Sequence, residues 1–209
     1  MGNLSLLLFM SIFVPIGMML FICRGQTRRF LVFLLLGTVA GLFCGEVNGM
    51  LTPLLPFSSQ YYSINIAPIT EEIFKALPIL FFVFVLKPER QVLLEVSVAV
   101  GIGFAVLENA YVFASADGSI SLLTALLRAF GAGMMHGICT LAVGYGMSFV
   151  HFRRKLFLPG TLGLLAAAFV YHSMYNNLVL SGHALAGALL PALTLVVALV
   201  PQRFKKAET

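Results

Sequence analysis

The stretch "PITEEIFKALPIL", residues 68–80, sets two adjacent carboxylates, Glu71 and Glu72, and a lysine, Lys75, inside a run that is otherwise apolar. Each charge buried in such a run costs free energy, so the segment has to be read against the solvent of the whole chain. Of the 209 residues, 60% are hydrophobic and 10% charged, and the mean hydropathy is +1.00. A soluble domain carries roughly a quarter charged residues. This composition cannot build a water-soluble surface, and the chain uses lipid as its solvent.

Outward from residues 68–80, long apolar runs alternate with short polar breaks. The pattern predicts an all-α polytopic membrane protein with about seven transmembrane helices, over 4–23, 30–50, 64–86, 91–114, 122–150, 157–180 and 184–201. A helix needs about 20 residues to cross a ~30 Å hydrocarbon core. A transmembrane β-barrel would alternate apolar and polar residues, and these runs do not. The chain reads as one transmembrane domain over 1–209, with its chemistry-bearing core in about 64–180.

Lys and Arg fall in alternate breaks: Arg24, Arg28 and Arg29, then Lys87 and Arg90, then Arg153, Arg154 and Lys155, then Arg203, Lys205 and Lys206. The intervening breaks, 51–63, 115–121 and 181–183, contain neither. By the positive-inside bias this predicts an outside N-terminus and a cytoplasmic C-terminus. The net charge of +5 is accounted for by these flanks, and no basic surface remains for nucleic acid. Met1–Ser5 carries no Lys or Arg, so no cleaved signal peptide is expected. Cys23, Cys44 and Cys139 read as small apolar residues, not as bridges or ligands.

Span two repeats glycine every fourth residue, at 37, 41, 45 and 49, and "GMMHG" (133–137) repeats the small-xxx-small pattern. Both stripes read as close helix packing.

Placing Asp, Lys or Arg at a helix centre costs ~2.5–3.5 kcal/mol on translocon scales, so intramembrane ionisable groups face a polar interior. Here they are Glu46 near the outer end of span two, Glu71, Glu72 and Lys75 in span three, Glu108 with Asn109 in span four, Arg128 and His136 in span five, and His172 with Asn176 and Asn177 in span six. At 1.5 Å per residue, Glu71 lies ~10 Å from the outer end of its helix, Glu108 ~9 Å and His172 ~12 Å; span five is overlong, and if it enters lipid near Arg128, His136 is also ~12 Å down. Four helices thus offer Glu, Glu, His and His at one level in the outer half of the bilayer. Spacing of four puts Glu71 with Lys75, Phe104 with Glu108, and His172 with Asn176 on shared faces, where Glu71 and Lys75 can pair.

Converging carboxylates and imidazoles in a low-dielectric cavity can do three things. A carboxylate desolvated beside a like charge is a general base for water, with Asn176, Arg128 or a histidinium to stabilise an oxyanion. Two histidines and a carboxylate with an open position suit hydrolytic zinc, assembled across helices because no HExxH is present. The same groups can relay protons, as in a proton-coupled transporter.

Four motifs then resemble a known family. "EEIFK" (71–75), "GFAVLEN" (103–109), "RAFGAGMMHGICTLAVGYG" (128–146) and "HSMYN" (172–176) stand in the order of the PrsW-type intramembrane proteases, each on its own predicted span. That family shares a clan with the CAAX prenyl endopeptidases. The resemblance implies Glu71, Glu72, Glu108, His136 and His172 as catalytic residues, one of the paired acids being the base for water. Lys75, Phe104, Asn109, Arg128 and Asn176 would support them, Asn176 by orienting His172 or binding the oxyanion.

Glu108 stands where the prenyl endopeptidases carry a histidine, and Lys75 where they carry an arginine one residue later; the latter difference favours the PrsW branch. The clan is described both as glutamic-type and as metal-dependent. The cofactor expectation is therefore either zinc on Glu71, Glu108, His136 and His172, or none. The implied function is hydrolysis of a membrane-anchored protein, such as an anti-sigma factor, near its extracytoplasmic side, in a bacterial plasma membrane. The rival readings are a non-enzymatic proton-coupled transporter or scaffold, and a prenyl-protein endopeptidase, which needs a cytoplasm-facing site.

Overall fold

The computed structural model describes residues 2–116, 120–151 and 153–207. Among them there is no strand; the chain runs through eight α-helices, α1 (Gly2–Met19), α2 (Gly25–Leu51), α3 (Ser59–Asn65), α4 (Ala67–Phe81), α5 (Arg90–Ser115), α6 (Leu122–Ser148), α7 (Arg154–Leu180) and α8 (Ala184–Ala207). The break expected at 115–121 lies partly outside the described residues.

Four helical stretches are long and apolar enough to cross a bilayer: Gly25–Leu54, Arg90–Ser115, Leu122–Ser148 and Arg154–Leu180. Shorter apolar stretches cover Leu8–Met19 and Ala184–Ala198. The expected span over 64–86 is not one helix. α3 ends at Asn65, α4 has 15 residues and three charges, and Phe82–Leu86 forms a π-helical turn. Pro78 explains part of this break, because it has no N–H to give the helix ladder. The turn closes with Lys87 N–H donating to Phe82 O at 3.2 Å. Lys87 sits at φ 45°, the left-handed conformation that commonly ends a helix, and Pro88 forbids continuation.

α5 packs between α2 and α6, and α6 also meets α7 and α8. The short α4 touches α2, α5, α6 and α7 and so occupies the middle of the bundle. Ile79, Leu93, Ala99, Val100 and Met135 are fully buried in the apolar core that holds these helices together. The exterior is apolar as well: Phe43, Leu77, Phe81, Phe130, Val170 and Met174 are all exposed. Buried inside are Glu72, Lys75, His136 and His172. This arrangement of apolar outside and charged inside suits a hydrocarbon solvent.

The closest helix approaches are made by glycine, but not everywhere expected. A Cβ on Gly37 would run into the Val100 carbonyl, and one on Gly103 into the Leu34 carbonyl, so α2 and α5 meet backbone to backbone there. Farther along α2, a Cβ on Gly41 would make only ordinary contacts, 3.5 Å to Leu107 and 3.6 Å to Phe104. In "GMMHG" the packing expectation fails. Gly133 has nothing within 4 Å of a Cβ, and Gly137 has only ordinary contacts from 3.6 Å. The tight contact with this part of α6 comes instead from Gly101 of α5, set against the His136 carbonyl and Thr140. The three cysteines are free thiols; Cys44 and Cys139 are buried.

Candidate active site

The first three turns of α4 carry Glu71, Glu72 and Lys75 into the centre of the bundle. Neighbouring positions on a helix diverge by about 100°. The two adjacent carboxylates therefore cannot do the same job, and they do not.

Glu72 faces inward and its Oε1 is doubly engaged. Lys75 Nζ donates to it at 2.6 Å, and His172 Nδ1 at 2.9 Å. Both the Glu72 and Lys75 side chains are 0% exposed. The ion pair is thus Glu72–Lys75 at spacing three, correcting the expected Glu71–Lys75 pair at spacing four. Spacing three also brings side chains together on a helix, and here the burial of Glu72 decides which acid the lysine takes.

Lys75 Nζ also lies 2.7 Å from His136 Nδ1 and 4.7 Å from the Phe104 ring centroid. An ammonium only donates, so His136 Nδ1 accepts and the ring proton sits on Nε2. That Nε2 donates to Glu108 Oε2 at 2.7 Å, and Arg128 Nη2 donates to Glu108 Oε1 at 2.8 Å. One continuous chain of contacts runs Arg128, Glu108, His136, Lys75, Glu72, His172. It draws on α6, α5, α4 and α7.

Glu71 stands at the end of this chain. A carboxylate only accepts, so His172 donates Nδ1–H to Glu72 and turns its Nε2 lone pair toward Glu71. The Nε2 to Glu71 Oε2 separation is 3.6 Å. That is too long for a hydrogen bond, and Glu71 Oε2 is buried without a hydrogen-bond partner. The His136 and His172 rings sit edge to face, with centroids 4.9 Å apart.

One donor atom from each of Glu71, His136 and His172 lies within 4.8 Å of the other two. Two imidazoles and a carboxylate are a zinc-type donor set. Two acceptors facing each other at 3.6 Å also suit ligands of one ion. The carboxylate of Glu72 on His172 Nδ1 matches the outer contact that orients a metal-ligating imidazole. The trio fits a metal once His136 gives up one contact, because its Nδ1 accepts from Lys75 and its Nε2 donates to Glu108. Glu108, included in the sequence-based ligand set, is outside this trio and is occupied by Arg128 and His136.

Two expected supporting residues are elsewhere. Asn176 does not hydrogen-bond His172; its Nδ2 donates to Ser63 O at 2.9 Å, tying α7 to α3. Asn109 is buried, but its Oδ1 makes no hydrogen bond. Phe104 lies against His136, ring centroids 5.2 Å apart. The residue that sequence reasoning missed is Asn48. Its Oδ1 accepts from Tyr62 of α3 at 2.9 Å and from Thr70 of α4 at 2.7 Å. Its signal was available: an amide near the end of an otherwise apolar span, facing a Tyr-rich break.

A helical bundle with an apolar exterior and a buried Glu/His/His centre defines a membrane-embedded hydrolase able to hold a metal. The family comparison agrees: the PrsW family of intramembrane metalloproteases matches residues 10–201, and the chain belongs to that family. The match extends past the four motifs into α1, α2 and α8. No curated protein and no solved structure matches the chain. The protein is a multi-pass membrane peptidase, and its substrate is a membrane protein met in lipid.

Proposed function

We propose that this protease cuts a membrane-anchored protein near its extracytoplasmic side, using water activated at Glu71. The observation that carries the reading is the division between the paired acids. Each acid has a buried, unpartnered Oε2, but Glu72 is fixed through Oε1 by Lys75 and His172, whereas Glu71 makes no hydrogen bond among the described residues and stands beside His172 Nε2.

Glu71 Oε2 takes a proton from water as the water oxygen bonds to the scissile carbonyl carbon. Arg128 Nε, buried and without a hydrogen-bond partner, is the donor nearest in role to an oxyanion clamp. The C–N bond then breaks and the proton passes to the leaving amine. Glu72 and Lys75 set the tautomers of His172 and His136. A divalent ion held by Glu71, His136 and His172 would acidify the water and polarise the carbonyl. A substrate helix has its backbone groups already paired, so it must unwind to be cut, and the polar centre offers it partners.

We further read the chain as a single domain over 1–209 with its chemistry in 64–180. It makes seven crossings, with α4 and its π turn as one and α1 and α8 as the outer two. The alternation of basic flanks supports an outside N-terminus and a cytoplasmic C-terminus. We extend the proposal to an anti-sigma-factor-like substrate in a bacterial plasma membrane, as the motif resemblance implies.

The test is reconstituted cleavage of single-pass substrates by wild type, Glu71→Gln and His172→Ala, with and without chelator. A defined product made by wild type and lost in both variants is the expected result. Cleavage that survives both substitutions removes the assignment.

A further inference from the structure

A cavity of about 130 Å³ opens between α2 and α5 directly beside Glu71. Its walls include Gly41, Leu42, Gly45, Phe104 and Leu107, and Glu71 and Glu108 stand at its polar end. For scale, an apolar protein cavity of about 150 Å³ holds benzene.

The polar groups in this cavity are largely spent. Asn48 Oδ1 accepts from Tyr62 and Thr70. Both Glu108 oxygens are bonded, to Arg128 and His136. Glu71 Oε2 is buried and lacks a partner, and Tyr111 adds a hydroxyl to the lining. A polar guest would find few groups to bond, whereas an apolar one would meet aliphatic and aromatic walls. Pockets built this way bind by shape and apolar contact, with the polar groups fixing orientation.

We infer that this cavity is the subsite for a substrate side chain next to the scissile bond, and that it selects apolar side chains of about leucine size or smaller. The inference rests on the proposed role of Glu71 and adds the substrate class. A side chain seated between α2 and α5 would bring its backbone carbonyl toward the polar end of the cavity, where Glu71 is. The α2 glycine stripe therefore has two functions. Gly37 lets the helices touch, and Gly41 and Gly45 leave space for a guest. The would-be Cβ of Gly41 points at Leu107 and Phe104, two other walls of the cavity, so a methyl group there fills the subsite without striking backbone.

The experiment uses the full chain reconstituted in lipid. The substrates are identical single-pass proteins carrying Ala, Leu or Trp at either residue flanking the cut. At one of these positions wild type should cleave Ala and Leu well and Trp at least tenfold more slowly. One methylene in an apolar pocket is worth about 10–200-fold. Gly41→Ala should therefore lower the Leu-to-Ala cleavage ratio about tenfold, and Gly41→Val further. Gly133→Ala, the same change in open space on α6, should leave the ratio at its wild-type value.

An unchanged ratio in both Gly41 variants overturns the inference. So does an equal loss on every substrate, which would make Gly41 a packing residue only. Failure of the underlying protease reading looks different: wild type would then cut no substrate at any rate above Glu71→Gln.

Discussion

Replacing Glu72 by glutamine tests the division of labour between the two acids most sharply. The change is nearly isosteric, so no cavity opens. It removes the charge facing Lys75, whose side chain is 0% exposed, at a contact of 2.6 Å. Taking one partner from a buried ion pair costs about 3–5 kcal/mol, because the other charge stays buried and uncompensated. For a chain of this size ~1 kcal/mol corresponds to ~2–4 °C, so Glu72→Gln should melt roughly 6–20 °C below wild type. Glu71→Gln removes a carboxylate whose Oε2 has no partner, and should cost about 1 kcal/mol or less. Adding Lys75→Met to Glu72→Gln removes the stranded charge, and the pair should couple by about 2 kcal/mol in a double-mutant cycle. The assay is thermal unfolding of purified protein in one detergent, read as folded protein recovered by size exclusion after heating. Glu72→Gln melting alongside Glu71→Gln, or a double variant as unstable as the sum of the singles, would refute the reasoning.

Other outcomes follow from the same geometry. Glu71→Gln should lower the cleavage rate at least ~100-fold, the low end for losing a general base; a rate within tenfold of wild type would argue against Glu71 as the base. Elemental analysis of purified protein should find about one divalent transition ion per chain, lost in His172→Ala and in His136→Ala. Full activity in metal-free protein would exclude the ion from the reaction. Asn48→Ala strands the Tyr62 hydroxyl, while Thr70 keeps the Ala67 carbonyl, and should cost about 1–3 kcal/mol. It should also speed proteolysis within 52–66, and an unchanged digestion rate would count against Asn48 as the anchor of α3.

The acids at 71 and 72 were legible as a site because lipid makes stray charge conspicuous, and the structure brings Glu71, Glu72, Glu108, His136 and His172 together from four helices. Pairing was less legible. Spacing alone allows Lys75 to meet either acid, and only the tertiary burial of Glu72 breaks the tie. Asn176 shares a helical face with His172, yet the backbone of α3 captures it. α3 itself could not be foreseen, because its seven residues lie in a polar break with no apolar period. Glycine stripes announce small residues and not their purpose: Gly37 and Gly41 are one turn apart, and only the position of α5 distinguishes a contact from a space.

Asn176 sits one helical turn beyond His172, and its amide grips the backbone of α3 at Ser63. On the far side, Tyr62 of the same short helix is latched to Asn48. The small helix is thus stitched at both flanks, one stitch being sewn into the very coil that carries the imidazole. A substrate that shouldered between α3 and α7 would have to undo that stitch, and in doing so would lean on the ring beside Glu71.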